Sequence, residues 1–330
     1  MSVASIREPD TVRPSLQDYL DQQALSGISS ELTAIVAALA KASLEIADRI
    51  RLSVFDEPGS AGGEVNVQGE VQKQLDVVAN DVVLSACREL PQVSFAVSEE
   101  LDDAVRNSDL GRYAVVFDPL DGSSNLDVNI SVGSIFSILQ AREYTELLQP
   151  GSLQRFAGYV GYGPTTIFTF TFGDSVAMFA ADDERCYRLL SEEVKIPPRF
   201  PEYSINSSRK WEWPAAVARY IQDCELGEEG PLGRRYNMRW VGSMVAELHR
   251  IMLRGGLFLY PGSTSGKNGK LRLLYEANPM SLIYEAAGGA AWSGSERILD
   301  LQPVSLHQRT GVIIGSADEV ANVKRYFANG

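Results

Sequence analysis

The stretch YAVVFDPLDGSSNLD, residues 113–127, breaks from an unbroken apolar run into a polar string within a single residue. Tyr113 to Phe117 have the pattern of a short strand buried on both faces. Asp118 ends the run, Pro119 turns the chain and removes a backbone donor, Asp121 adds a second carboxylate, and Gly122-Ser123-Ser124 follow. A second run of the same kind, VSFAV (93–97), leads into Glu99 and Glu100. Buried strands that end in paired acids point to an α/β sheet with a ligand beyond the carboxyl ends of its strands.

Outward from this point, SVGSIFSIL (131–139) and TIFTFTF (166–172) read as further strands, and the strand-rich stretch reaches about Leu190. Upstream, Leu32, Ile35, Val36, Leu39, Ile46 and Ile50 recur at helical spacing, which predicts a helix from Ser29 or Ser30 to about Ile50. DEPGSAGGEVN (56–66) is a Gly- and Pro-rich loop, and a second helix follows with Val71, Leu75, Val78, Val82 and Val83 on one face. Residues 1–25 are polar and read as a loosely held arm. KIPPRFPEY (195–203), with three prolines, marks a boundary between a unit of residues 1–198 and one of residues 199–330. In the second unit, WVGSMVAELHRIML (240–253) is a helix and GLFLY (256–260) a strand. Asn278 caps a helix with Pro279 at its first position, and Ser316 and Glu319 form a capping box for the last one.

The bulk properties narrow the partners. The 330 residues carry 43 acidic and 30 basic side chains, a net charge of −13. That balance excludes a nucleic-acid binder with its basic stripe and disfavours an anionic membrane surface. Three scattered cysteines and two histidines leave no Cys/His zinc site and no disulfide framework. No run of 18 apolar residues occurs and the first residues lack a signal-type apolar core, so the expected location is the cytoplasm.

Four carboxylates at neighbouring strand ends repel one another unless a cation sits among them. A hard divalent ion, Mg²⁺ or Mn²⁺, suits oxygen ligands, and the Leu120 carbonyl beside Pro119 is a further oxygen donor. Successive amides at Gly122-Ser123-Ser124 make an anion cradle. Acids for metal beside amides for phosphate suit phosphoryl transfer. Taken alone, D-P-x-D-G is equally well a plain turn; the neighbouring Glu99-Glu100 pair favours the functional reading. GSTSGKNGK (262–270) resembles a P-loop, but its glycine spacing is short and Asn268 stands where Ser or Thr would bind Mg²⁺, which argues against an NTPase.

VVFDPLDGSSNLDVNISVGSIF, VSEE, NVQGEVQKQLDVVAND and GKLRLLYEANPMSLIYEAAGG, in this order, resemble class I fructose-1,6-bisphosphatase from about residue 29 to the C-terminus. The resemblance implies a layered αβαβα fold, commonly as a homotetramer, within the lithium-sensitive Mg²⁺-dependent phosphatases. It implies metal ligation by Glu99, Asp118, the Leu120 carbonyl, Asp121 and Glu276, with more than one ion per subunit. Glu100 would position or activate the attacking water, assisted by Asp76, which otherwise reads as an exposed helix residue. Gly122, Ser123 and Ser124 would hold the 1-phosphate, and Asn206, Tyr260 and Lys270 the sugar and 6-phosphate. Arg239 would reach into the neighbouring subunit's site. Glu70 replaces an Asp common in the family's mobile loop, Trp240 stands where animal members have a phosphate-binding Tyr, and Arg209 where they have another. The expected reaction is hydrolysis of the 1-phosphate of D-fructose 1,6-bisphosphate. Sedoheptulose-1,7-bisphosphatase activity, alone or in addition, is the alternative, and a catalytically inactive sugar-phosphate sensor a distant one. Gln140 replaces a basic residue facing the phosphate in the family's AMP pocket, near Arg112 and Tyr113, so weak or absent AMP inhibition is expected.

Overall fold

Runs buried on both faces alternate with one-sided helices, and this sorts the chain into five layers. The computed structural model describes residues 13–53, 74–263 and 269–328. The first layer holds α1 (Leu16–Leu25), α2 (Ser30–Leu52) and α3 (Gln74–Arg88). They cover an eight-stranded sheet of β1 (Val93–Ser98), β2 (Val105–Arg106), β3 (Tyr113–Asp121), β4 (Val132–Gln140), β5 (Phe156–Tyr162), β6 (Thr166–Thr171), β7 (Val176–Ala181) and β8 (Tyr187–Ser191). Its order is β2-β1-β3-β4-β5-β6-β7-β8, and only β1 and β3 run parallel.

The remaining elements are β9 (Glu202–Ile205), α4 (Ala215–Glu225), β10 (Asn237–Met238), α5 (Met244–Arg254), β11 (Leu257–Tyr260), β12 (Leu271–Arg272), α6 (Asn278–Ala286), β13 (Ala290–Trp292), β14 (Arg309–Thr310), β15 (Val312–Gly315) and α7 (Ala317–Ala328). A five-stranded sheet, β10-β9-β11-β15-β13, forms the fourth layer. Helices α5 and α6 lie between the two sheets, and α4 and α7 cover the outer face of the second. This is the expected αβαβα arrangement. One core, with Phe117, Phe136 and Phe168, lies under α1–α3. A second, with Leu248, Met280 and Ile314, surrounds α5 and α6. Each such large side chain contributes roughly 1.5–3 kcal/mol on burial.

Several local expectations are corrected. Of the polar arm, residues 16–25 form a docked helix: Ser15 and Asp18 make a capping box, and Leu16, Tyr19 and Leu20 recur at one-face spacing and are buried. Tyr19 meets Phe170 and Phe179 edge-on. Asn278 is not a cap, because the preceding Leu273–Ala277 turn is already helical and runs straight into α6. Ser316 and Glu319 form no capping box. The Ser316 hydroxyl donates to the Pro197 carbonyl and accepts from Gly256 N–H, while Glu319 accepts from the Tyr236 hydroxyl. Helix α5 starts at Met244 rather than Trp240, with Ser243 as its cap. Strand β3 continues past Asp118 to Asp121. Residues 1–12, the 56–66 loop, Val71 and Glu70 lie outside the described residues.

Gly133 of β4 pairs with Gly161 of β5, and α5 crosses this pair. A Cβ on Gly133 would lie 2.4 Å from Val245 Cγ1 and 2.6 Å from the Val160 carbonyl oxygen; one on Gly161 would meet only Val245, at 3.9 Å. Gly133→Ala is therefore expected to cost about 1–3 kcal/mol by overpacking, and Gly161→Ala within about 0.5 kcal/mol of nothing. Urea midpoints of the two variants test this, and equal midpoints would contradict the packing described.

Candidate active site

A cavity of about 520 Å³ opens at the carboxyl ends of β1 and β3. Strand alternation would put Asp118 and Asp121, three residues apart, on opposite faces. A bulge prevents this: Asp118 pairs with Ile135 and Asp121 with Gly133, so Pro119 and Leu120 together oppose Ser134. The extra residue makes a spacing of three act as two, and both carboxylates face the cavity. Ser134 Oγ donates to the Pro119 carbonyl at 2.6 Å and Leu120 N–H to Asp118 Oδ1 at 3.0 Å, which fixes the bulge.

Asp121 meets the start of α5. It accepts from Ser243 Oγ at 2.6 Å, Val245 N–H at 2.8 Å and Met244 N–H at 3.2 Å. Gly122 allows this approach: its φ is 76°, and a Cβ there would lie 2.5 Å from Ser243 Cβ. Ser123 and Ser124 open the short 3₁₀ turn that follows. Glu276 arrives from the far end of the chain on a π turn, Leu273–Ala277, and accepts from Arg272 N–H at 2.5 Å. Donor oxygens of Asp118, Asp121 and Glu276 all lie within 4.8 Å of one another. Glu99 and Glu100 line the same cavity, as does Asp76, which is buried in the first turn of α3 instead of exposed.

The electrostatics follow from this crowding. Burial first, then repulsion from Glu99, Asp121, Glu276 and Glu100, pushes the Asp118 carboxyl well above the usual range. Burial and then Glu99 do the same to Glu276, against its bond from Arg272. Burial also raises Asp121, while its bonds from Ser243, Val245 and Met244 and the charge of Lys270 pull the other way. A buried set of oxygen donors whose ionised forms exclude one another fits a hard divalent cation.

The lining also includes Asn206, Trp240, Phe258, Tyr260 and Lys270. Trp240 stacks on Phe258 with centroids 6.3 Å apart and planes 5° off parallel. Arg209 does not line the cavity: it pairs with Glu212 at 2.8 Å and reaches the Tyr260 hydroxyl at 3.4 Å. Arg239 turns away from the cavity altogether, onto Glu202 at 2.7 Å.

Sequence reading missed Gly242, Ser243 and Met244 in the lining. The signal was the N-cap serine of GSMVAEL, hidden by starting the helix four residues early. Arg272, which nothing in its local sequence marks as enclosed, is another missed residue. Arg272 is 2% exposed, with Nη2 at 3.7 Å from Glu99 Oε1 and Nη1 donating to the Lys270 carbonyl at 2.8 Å.

Removing phosphate from a sugar requires anionic charge to be neutralised, and this cavity gathers buried oxygen donors for a cation together with Lys270 and polar side chains. That makes the chain a metal-dependent sugar phosphatase by fold and site. Family models narrow the class: "Fructose-1-6-bisphosphatase, N-terminal domain" matches residues 17–193 and its C-terminal counterpart residues 196–328. The chain is 46% identical over 330 residues to the class 1 fructose-1,6-bisphosphatase of Alkalilimnicola ehrlichii, covering 97% of this chain and 99% of the relative. It is 46% identical to that of Neisseria meningitidis serogroup B over 325 residues, covering 97% and 99%. The crystal structure of Leishmania major fructose-1,6-bisphosphatase in holo form superposes with a TM-score of 0.89 at 32% identity, covering 96% and 99%. The chain belongs to the class 1 fructose-1,6-bisphosphatase family.

The raised carboxyls mean that the folded chain holds more protons than the unfolded one just above the ordinary carboxylate range. In chelator, stability should therefore fall as pH rises from about 5 to about 8. A divalent cation bound there would offset that loss, so the stabilising Tm shift on adding Mg²⁺ should be larger at the higher pH. Thermal melts with EDTA and with Mg²⁺ across this range test the sign; a shift that shrinks with pH would contradict it.

Proposed function

We propose that this chain hydrolyses the 1-phosphate of D-fructose 1,6-bisphosphate, giving fructose 6-phosphate and inorganic phosphate in carbohydrate metabolism. The observation that carries the proposal is the gathering of Asp118, Asp121 and Glu276 donors within 4.8 Å, in one cavity with Asn206, Tyr260 and Lys270. Glu99, Asp118, the Leu120 carbonyl, Asp121 and Glu276 would hold Mg²⁺, or Mn²⁺ in its place, with more than one ion per subunit. Bound there, the cations supply charge neutralisation at the phosphoryl oxygens and at the leaving alkoxide.

The chain's own groups do the rest. Gly122, Ser123 and Ser124 amides hold the 1-phosphate in line for attack. Glu100 orients the water and takes its proton, with Asp76 assisting. Asn206, Tyr260 and Lys270 grip the sugar and the 6-phosphate; Arg209 acts on that end through Tyr260, and Trp240 shapes it. Glu70 has an auxiliary role. No covalent intermediate is needed: His249 bonds Tyr159 and His307 bonds Tyr275, and neither lines the cavity. The exposed outward course of Arg239 supports a homotetramer in which it completes a neighbour's site. Unit 1–198 supplies the metal end except for Glu276, and unit 199–330 supplies Glu276 and the sugar end. No helix among the described residues is long and apolar enough to cross a membrane, which suits an enzyme acting on a cytoplasmic metabolite.

At the proposed effector pocket, Arg112 is paired with Glu31 at 2.5 Å and Gln140 accepts from Arg155 at 3.0 Å. No cation supplied by position 140 greets a phosphate there. Millimolar AMP should leave activity nearly unchanged, and strong inhibition in a steady-state assay would overturn this.

Phosphate release should favour fructose 1,6-bisphosphate over sedoheptulose 1,7-bisphosphate and inositol phosphate, and cease in EDTA. Asp121→Asn, which keeps the shape, should lower kcat more than about 100-fold, and Glu100→Gln about 10²–10⁴-fold with KM little changed. Turnover undiminished in EDTA would end the metal reading.

A further inference from the structure

A closed polar network lies beside the cavity without lining it. Glu202 and Ser204, two residues apart on β9, face α5, and all of Glu202, Ser204 and Glu247 is buried. Arg250 on α5 divides its guanidinium among all three: Nε donates to Glu202 Oε1 at 2.7 Å, Nη1 to Glu247 Oε2 at 2.6 Å and Nη2 to Ser204 Oγ at 2.6 Å. Ser204 Oγ in turn donates to Glu247 Oε2 at 2.9 Å.

One guanidinium cannot neutralise two buried carboxylates, and the remaining oxygens lead outward to a single segment. Glu202 Oε2 accepts from Arg239 Nε at 2.7 Å, and Glu247 Oε1 accepts from Val241 N–H. The same segment supplies Trp240, Gly242 and Ser243 to the cavity, and Ser243 bonds Asp121.

We infer that Glu202, Arg250 and Glu247 are positioning residues that set the segment 239–243 from within, Glu202 through Arg239 and Glu247 through Val241. Glu202 anchors Arg239 by its inner edge, so the half-exposed guanidinium is ordered before any phosphate arrives. The cost of immobilising a long side chain then falls on folding instead of on binding. Glu247 fixes the turn that delivers Ser243 to Asp121, so it acts on the reacting end. The two ends of one network therefore govern different kinetic constants. This inference rests on the bisphosphatase reading of the cavity and, for Glu202, on Arg239 completing a neighbour's site.

Steady-state kinetics with fructose 1,6-bisphosphate and saturating Mg²⁺ test it on the full chain. Glu202→Gln should raise KM about tenfold with kcat within about twofold, since a binding contact remote from the reacting phosphate is weakened. Glu247→Gln should lower kcat about tenfold with KM within about twofold. In an Arg239→Met background, Glu202→Gln should add nothing further to KM. Should Glu247→Gln not fold, Ser204→Ala removes one donor to the same carboxylate and should lower kcat about threefold with KM unchanged. Parallel losses of kcat and Tm in all variants, or an undiminished KM effect of Glu202→Gln in the Arg239→Met background, would overturn the inference. A wild-type chain inactive on fructose 1,6-bisphosphate would instead overturn the reading of the cavity.

Discussion

Asp121 is asked to do two things that elementary electrostatics sets against each other. It stands among carboxylates that raise one another's proton affinity, and it also accepts three hydrogen bonds from the first turn of α5. The second relation makes the first tolerable. A helix start offers unsatisfied N–H groups and a partial positive charge, so it steadies an anion that burial would otherwise neutralise. Because α5 is sandwiched between the two sheets, this bond ties the bulged end of β3 to the middle layer. The position of the metal end relative to the sugar end is inherited from that tie.

Charge on the larger scale poses a related problem. A chain with net charge −13 has to receive an anionic bisphosphate. Its solution is local: Arg272 is buried against Glu99, and Lys270 lies near enough to Asp121 to lower its proton affinity. Arg272, being enclosed, is not placed for long-range steering. It acts at short range, where low polarisability of the surroundings strengthens it, and Lys270 acts from the exposed rim of the cavity.

Much of the fold was legible because its signals are local. YAVVF and VSFAV announced buried strands, and the apolar spacing in α2 announced a helix whose observed span, Ser30–Leu52, matches within two residues. The acids at the strand ends were legible as a cluster because two came from each of two adjacent segments. Asp76 and Glu276 were not legible from local pattern: each is a lone acid on a helical turn, and only tertiary packing, together with family resemblance, distinguishes it from a surface charge. The same holds for Arg272, whose neighbours in GKLRLL give no hint that its side chain is enclosed. The bulge at Pro119-Leu120 was half visible. Proline signalled a departure from regular strand, but which face Asp121 would take depends on Ser134, a partner on another strand.

The π turn that bears Glu276 has a meaning for how such a site can change. An α-helix advances about 100° per residue, so removing Ala277, which lies between Glu276 and α6, would swing Glu276 away from Asp118 by that angle. Met280, Ile283 and Tyr284 of α6 would stay seated in the middle layer. The widened turn thus uncouples the phase of a ligand from the phase of a core. A single-codon deletion there would leave a chain that still assembles its five layers while shedding one oxygen from its cation cluster, a short evolutionary path from catalyst to silent scaffold.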